Sequence, residues 1–504
     1  MNLNLQEAMI FLSANWMPRA ILYGQKNGGE DADAGYSIAV DVFENVYITG
    51  YFTGTADFDP DDVGVLDLVS EGEEDIFISK LDVLGNLVWA KRIGGILGDQ
   101  GNSVAVDDTG NVHTTGFFRD TADFDPDITG IHNLSSSGAT DIFISKLDAS
   151  GNFVGAGKMG GDLYDVGNSI ALDELGNIYT TGSFQARAYF DPKAGMNFLE
   201  SEGGRDIFIS KLDASGNFVG ARRMGGPLDD EGTSIALGIA GNIYTTGFFD
   251  GTADFDPDAV ATFDLTVTGG YPGAIDIFVS KLDKSGNFKW AKNMGGSGLD
   301  SGSSINVDPW GNVYTTGYFT GIAADFDPGL GIQNLDSQGG LDIFISKLSA
   351  SGNFKSAKSM GAAGNDSGSS IAVDPNFNVY STGSFEEEAD FDPGTGVDNL
   401  LSNGLSDIFV QKLSNYLSIP SKNEMLSLPL IFPNPTTDNL TLDLGQLYDT
   451  VTLNVRNFSG ELVSKANYNK TDKIDFDINS SPGMYFIEVI ANGKKLISLK
   501  VVKN

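Results

Sequence analysis

Short runs rich in β-branched and aromatic residues, bounded by Gly, Asp and Asn, follow one another along most of the chain. Ser103–Asp107 (SVAVD), Asn111–Phe118 (NVHTTGFF), Asp141–Asp148 (DIFISKLD) and Asn152–Met159 (NFVGAGKM) are four such runs in succession. Their length and composition predict strands, here called the first to fourth of a unit. Apolar positions fall on both faces, as Ile142, Phe143, Ile144 and Leu147 show. A sheet that is apolar on both faces has to be covered on both sides. Blades of a propeller, each packed between two neighbours, meet that demand.

The pattern repeats. D-I-F-[IV]-[SQ]-K-L begins at Asp75, Asp141, Asp206, Asp276, Asp342 and Asp407, at spacings of 66, 65, 70, 66 and 65 residues. N-[VI]-[YH]-[ITS]-T-G begins at Asn45, Asn111, Asn177, Asn242, Asn312 and Asn378, and A-[DY]-F-D-P at Ala56, Ala122, Ala188, Ala253, Ala324 and Ala389. Six copies in constant order predict six units, and self-similarity overrides a domain count based on length. The predicted fold is all-β: a six-bladed propeller of four-stranded blades over residues 19–413, in repeats of about 66 residues.

The turns orient the units. D-x-x-G-N joins the first strand to the second (Asp107 to Asn111) and the third to the fourth (Asp148 to Asn152), a tight hairpin connection with Gly at the left-handed position. The longer connections then emerge on the opposite face, where a propeller usually carries its function. The surplus length lies between second and third strands, as in Thr53 to Glu74, and predicts a small extra hairpin. The sixth unit ends at its third strand, Asp407–Leu413, whereas Ala20 to Gly29 reads like a fourth strand with its Gly-Gly exit. The N-terminal segment is therefore expected to complete the sixth blade and remove an open edge.

Composition narrows the chemistry. The net charge is −37, from 31 Lys and Arg against 68 Asp and Glu, so phosphate backbones and anionic membrane surfaces are repelled. Absence of cysteine excludes disulfides and thiol catalysis, and two histidines, His113 and His132, leave little for a triad or a His-ligated metal. Chemistry here would have to run on carboxylates. No run reaches the roughly 18 apolar residues of a spanning helix. Residues 1–18, with Glu7 early and Arg19 the first basic residue, read as a poor or truncated signal peptide.

The string S-I-A-V-D-x-x-G-N-V-Y-x-T-G, followed by D-I-F-I-S-K-L-D-x-x-G-N-F and a closing W-A-K-x-M-G-G, resembles the bacterial β-propeller repeat family SBBP over residues 19–413. That family's name refers to seven blades, so seven is the alternative to the six counted here. The resemblance implies an extracellular propeller and no particular reaction. A polar linker, 414–427, leads to a second domain, 428–504, with expected strands at Asn439–Leu444, Thr450–Arg456, Lys473–Ile478, Met484–Ile490 and Lys495–Val502. Phe432-Pro433-Asn434-Pro435-Thr436-Thr437, the Gly460 turn, Ser481-Pro482-Gly483-Met484-Tyr485-Phe486 and the ending Leu499-Lys500-Val501-Val502-Lys503 resemble the C-terminal sorting domain of the type IX secretion system of Bacteroidota. This implies a small Ig-like β-sandwich that engages the secretion machinery, with export to the cell surface or medium. An ordinary appended Ig-like sandwich is the alternative.

Two sets of acids are candidate sites. The A-D-F-D-P loops place two carboxylates at i and i+2 on one face of an extended segment: Asp57 and Asp59, Asp123 and Asp125, Asp254 and Asp256, Asp325 and Asp327, Asp390 and Asp392. Hard cations such as Ca2+ take oxygen ligands of this kind, and calcium is the one cofactor the residues suggest. The third copy has Tyr189 in place of the first acid, with Arg187 nearby. The plainer reading is that these acids cap turns while the Phe plugs the blade edge, since the full calcium-loop pattern is missing. D-x-G-x-S at the entry to each first strand places Asp33, Asp99, Asp165, Asp230, Asp300 and Asp366 in a ring expected near the channel mouth. It could hold a cation or polar ligand on the axis, or form an Asx-type turn in each unit.

His113 occupies the position of Tyr47 and reads as a substituted strand residue. The Lys of S-K-L reads as cover for strand edges. The functional expectation is a secreted or cell-surface propeller that binds polysaccharide or a surface protein without catalysis. The alternatives are a calcium-assisted, carboxylate-only glycosidase or lyase, and a passive spacer. Six near-identical units argue against the one asymmetric constellation that catalysis requires.

Overall fold

The computed structural model describes residues 32–414 and 430–503, apart from 62–63, 128, 194–196, 239, 259, 270–272, 375–376, 433–435, 437–438, 458–460 and 493, together with strands Met9–Ile10 and Leu22–Tyr23. It separates into two compact domains, Met1–Leu417 and Ser418–Asn504. Every regular element among the described residues is a strand.

Unit one is an antiparallel meander of Ala34–Val40, Val46–Phe52, Asp75–Leu81 and Leu87–Gly95. Unit two repeats it with Gln100–Val106, Val112–Phe118, Asp141–Leu147 and Phe153–Gly161. Units three, four and five follow, with first strands at Val166–Leu172, Glu231–Leu237 and Ser301–Val307. Unit six has three strands, Ser367–Val373, Val379–Phe385 and Asp407–Leu413. Of the segment expected to complete it, Leu22–Tyr23 pairs with Met9–Ile10, and the rest of 20–29 lies outside the described residues, as do most of 1–18 and 415–427 of the linker.

The glycine of T-G in the second strand has a steric cause. First and second strands slip register beside it, between Thr115 and Gly116 in unit two. A Cβ on Gly116 would lie 1.9 Å from the carbonyl oxygen of Gln100, so only glycine lets the bulged strand approach. The threonine before it, Thr115, donates from Oγ1 to the Phe143 carbonyl at 2.8 Å.

The core lies between successive units. One cluster joins Tyr47, Ile76, Ile78, Trp89 and Ile93 of unit one to Val104, Val112, Phe118, Phe124 and Phe143 of unit two. Equivalent clusters fill the next four junctions. Each large apolar side chain fully buried in this way contributes about 1.5–3 kcal/mol. A serine in each first strand adds a hydrogen bond to the next unit: Ser37 Oγ accepts the Val104 N–H at 3.1 Å, Ser103 that of Ile170, Ser169 that of Ile235, Ser234 that of Ile305 and Ser304 that of Ile371.

The small hairpin anticipated between second and third strands is present, and it does more than fill space. In unit two Thr121–Asp123 pairs with Asn133–Ser135. The same hairpin also pairs across the junction, Ala122 with Gly95 and Asp123 with Gly94, the exit of unit one's fourth strand. Comparable pairings tie Gly160 to Tyr189, Gly225 to Asp254, Gly295 to Asp325 and Gly361 to Asp390. The hairpins of units two to six are thus straps, each from one unit onto its predecessor.

In the C-terminal domain five strands form one antiparallel network: Leu430–Phe432, Asn439–Asn457, Leu462–Asp477, Gly483–Ala491 and Lys494–Lys503. The strands expected at 439–444 and 450–456 are one continuous strand. Leu462–Asp477 pairs along its length, with a register shift between Asp443 and Tyr448, which keeps the intervening backbone extended. Strand Leu462–Asp477 also starts well before the expected Lys473. Pro433 to Pro435 and Gly460 lie outside the described residues.

Candidate functional site

The strap hairpins carry the A-D-F-D-P acids. Asp123 Oδ1 accepts the backbone N–H of Asp125 at 3.0 Å and of His132 at 2.8 Å, while Asp125 Oδ1 accepts that of Asp127 at 3.1 Å. The same bonds run from Asp57 to Asp59 and Leu66, from Asp254 to Asp256 and Phe263, from Asp325 to Asp327 and Gln333, and from Asp390 to Asp392 and Asp398. Asp59, Asp256, Asp327 and Asp392 each cap the N–H two residues on. Between the acids Phe124 is buried, its ring 5.3 Å from Phe118 and 5.1 Å from Phe143. One oxygen of each acid therefore serves the turn. Among the described residues no group of three or more His, Cys, Asp or Glu is arranged to hold a metal ion.

Unit three departs from its neighbours. Its second strand runs on to Tyr189, paired with Phe198. Arg187 forms an ion pair with Glu200 and lies over the Phe198 ring at 4.5 Å, and Tyr189 meets that ring edge-on at 6.1 Å. Tyr189 and Phe198 are 39% and 48% exposed. Where the other hairpins carry the first acid, this one carries Tyr189 beside Phe198 and the Arg187–Glu200 ion pair, and it keeps the second acid, Asp191.

Five of the six D-x-G-x-S acids are closed off from solvent. Asp99, Asp165, Asp230, Asp300 and Asp366 are fully buried. Asp99 Oδ2 accepts the Gly95 N–H at 2.8 Å and Oδ1 the Arg119 N–H at 2.9 Å, closing the turn between one unit's fourth strand and the next unit's first. Asp165, Asp230, Asp300 and Asp366 repeat both bonds. Asp33, half-buried, accepts the Thr53 N–H at 3.1 Å.

Each buried acid has a partner that the sequence did not reveal as a pair. Asp75, Asp141, Asp206, Asp276 and Asp342, which open the third strands, are buried as well, and in all five Oδ1 has no hydrogen-bond partner. That oxygen faces the acid of the next unit across a glycine. A Cβ on Gly160 would lie 2.8 Å from Asp141 Oδ1 and 3.0 Å from Asp165 Oδ2, and one on Gly225 would lie 2.9 Å from both Asp206 Oδ1 and Asp230 Oδ2. Removal from water pushes the carboxyls of Asp99, Asp165, Asp230 and Asp300 up to about 7, and the neighbouring carboxylate adds to the effect. Asp206 and Asp276 rise to about 6 and Asp342 to about 7, again chiefly by burial. The one available sequence signal was a charged residue opening an otherwise apolar buried strand.

The remaining candidates are structural. His113 is buried, and desolvation pushes its pKa below the ordinary value, which favours the neutral ring. Apart from Lys146, whose register partner is His113, the S-K-L lysines lie over the tyrosines of their neighbouring strands: Lys80 over Tyr47 at 5.0 Å, Lys211 over Tyr179 at 4.7 Å, Lys281 over Tyr244 at 4.9 Å and Lys347 over Tyr314 at 4.9 Å. Lys80 and Lys281 also donate to the carbonyls of Ala149 and Ala350 in the turn of the next unit. Among the described residues no helix is long and apolar enough to cross a membrane.

Comparison with known proteins agrees with this architecture. Residues 88–116 and 159–183 match the family described as the SBBP beta-propeller repeat, and residues 430–504 match the secretion system C-terminal sorting domain. An uncharacterized WD repeat-containing protein of Acanthamoeba polyphaga mimivirus is 24% identical over 73% of this chain and 31% of its own length. The regulatory protein FlaEY of Caulobacter vibrioides is 25% identical over 44% of this chain and 22% of its own. The chain thus spans a third or less of these relatives. The dimeric latent PorU of Porphyromonas gingivalis aligns over 93% of this chain and 32% of that one, at 10% identity and a TM-score of 0.15.

Proposed function

We infer that a chain carrying SBBP beta-propeller repeats and ending in a type IX secretion sorting domain is an exported, non-catalytic propeller that binds extracellular polysaccharide. On this reading the ring has six blades, closed between the first and sixth units, and the C-terminal domain is Ig-like. The observation that carries the binding reading is the exposed pair Tyr189 and Phe198 beside Arg187, the one place where a hairpin breaks the acidic repeat. Aromatic rings offer flat apolar faces to the C–H surfaces of sugars, with a polar handle alongside. Calcium on the strap acids Asp57 and Asp59 and their counterparts would relieve the repulsion among clustered carboxylates.

The rival reading is a glycosidase or lyase. The carboxyls pushed up to about 6 or 7, as a general acid would need, are buried at the unit junctions and out of reach of a polymer. A glycan array probed with the full chain, with and without CaCl2, tests the proposal. At least one extracellular polysaccharide is expected to be retained, and Tyr189→Ala with Phe198→Ala to weaken it at least tenfold, about 1.4 kcal/mol. No retained glycan, or capture of a surface protein instead, would overturn the polysaccharide assignment; hydrolytic turnover would overturn the non-catalytic one.

A further inference from the structure

Alternate residues of a strand share a face. The unit-three hairpin therefore turns Arg187 and Tyr189 outward, opposite Glu200 and Phe198, while Ala188 and Leu199 face inward. The same outward positions hold Thr121 with Ser135 and Asp123 with Asn133 in unit two, and Thr252 with Thr266 and Asp254 with Asp264 in unit four. Small hydroxyls and acids are the rule there, and unit three replaces them with an ion pair beside an aromatic pair.

Charge is balanced within that face. Arg187 donates from Nε to Glu200 Oε1 at 2.9 Å and from Nη2 to the same oxygen, and the two side chains remain 52% and 56% exposed. A guanidinium has more N–H donors than that oxygen takes, and the carboxylate has a second oxygen. The pair thus offers donors beside an acceptor with no net charge, which suits a hydroxyl, itself both donor and acceptor. The other basic side chains of unit three are engaged as well. Lys193 Nζ donates to the Ser215 carbonyl at 3.0 Å and to Asn217 Oδ1 at 2.7 Å, and Lys211 lies over the Tyr179 ring. Arg205 pairs with Glu231, Arg223 pairs with Asp206 and Glu202, and Arg222 donates to the carbonyls of Ser285 and Gly286.

We propose that this face selects an uncharged polysaccharide: the rings of Tyr189 and Phe198 take the C–H faces of the sugars, and the Arg187–Glu200 pair reads their hydroxyls. The proposal rests on the polysaccharide reading above and names its class. A uronate or sulfate polymer would look for a guanidinium free to form a charge-assisted bidentate pair, and Glu200 already occupies the one beside the rings. Such a polymer would also approach a hairpin that keeps Asp191, against the field of a chain of net charge −37. Glu200 is thus the specificity-determining residue, because it cancels the charge that would otherwise recruit an anion.

An array of neutral polysaccharides printed beside their sulfated and carboxymethylated derivatives, probed with the full chain, tests this. A neutral polymer is expected to be retained, and its anionic derivatives at least about tenfold less. Added NaCl should leave the neutral signal unmoved, because no ion pair with the ligand is there to be screened. Glu200→Gln leaves the Arg187 charge uncompensated, and is expected to weaken the neutral polymer while raising retention of the anionic derivatives by about threefold or more. A merely structural effect at this exposed position would not move the two probes in opposite directions. The proposal is overturned if the wild type prefers the anionic derivatives, or if Glu200→Gln leaves both probes unchanged or shifts them together. In those cases a loss of retention with Tyr189→Ala and Phe198→Ala would still uphold the polysaccharide reading. Retention of neither kind of polymer, or retention that survives removal of both rings, overturns that reading and this proposal with it.

Discussion

The five internal junctions and the two outer faces of the repeat array are built from the same residues, yet one set is closed and the other open among the described residues. Ile38 of unit one is 40% exposed, whereas Ile170, Ile235, Ile305 and Ile371 at the same position are at most 6% exposed. At the other end Ile408 is 41% exposed, while Ile76, Ile142, Ile207, Ile277 and Ile343 are at 0%. Burial of this motif is therefore a property of its neighbour. The two open faces are the complementary halves of one junction, and a head-to-tail contact of that kind closes into a ring or propagates into a chain.

Substitution can separate these outcomes. Ile142→Ala, in a closed junction, is expected to cost about 2–5 kcal/mol, read from the urea midpoint. If the ring closes over unit six, Ile408→Ala costs a similar amount; a shift within about 0.5 kcal/mol, the range of ordinary surface changes, would show that this face stays open.

A smaller effect distinguishes the junctions by pH. Asp99 is held up near 7 by burial, with Asp75 adding to the rise, while the Arg119 and Gly95 N–H groups and the Arg119 charge oppose it. Arg92 and Glu71 face Asp75 from the fourth strand and the preceding loop. A carboxyl whose folded pKa is raised contributes stability that is fully present below its unfolded value and is lost as pH rises through the folded one. Stability should therefore fall between about pH 4 and 7 by at most about 1.4 kcal/mol per pH unit for each such group. Asp99→Asn should flatten that slope, whatever its effect on the baseline; an unchanged slope in urea melts across this range would contradict the assignment. Asp107 and Asp283, whose hydrogen bonds hold their pKa values low, lose their stabilisation only at more acid pH.

The smallest effect concerns the serine bonds. Ser103→Ala removes the acceptor of the Ile170 N–H and is expected to cost about 0.5–1.5 kcal/mol. Ser370→Ala, at the equivalent position of the last unit, costs as much only if a further first strand packs against it, so equal losses in denaturant titrations indicate closure.

The array was legible because its signals are local and sixfold. D-x-x-G-N turns, the two-faced apolar run within DIFISKL and the surplus length that forms the hairpin can each be read within a few residues. The capping role of Asp57, Asp59 and their counterparts followed from the same local chemistry. The carboxylate pairs were not legible. Asp75 and Asp99 are separated by a whole strand, and only the packing of one unit on the next turns a strand-opening acid and a turn acid into neighbours. The lysine over tyrosine contacts escaped for the same reason, since Lys80 and Tyr47 meet through strand register. In the C-terminal domain separate strands were expected to end at Leu444 and to start at Thr450. The long partner strand overrides that expectation.

The strap hairpins give the array a modular grammar. Units two to five carry both a glycine-bearing strand exit that the successor's hairpin grips and a hairpin that grips the predecessor. A tandem duplication of one repeat would therefore insert a unit already fitted on both sides, and a deletion in register would rejoin compatible ends. Blade number in such a chain can drift by whole units without any new interface having to be invented.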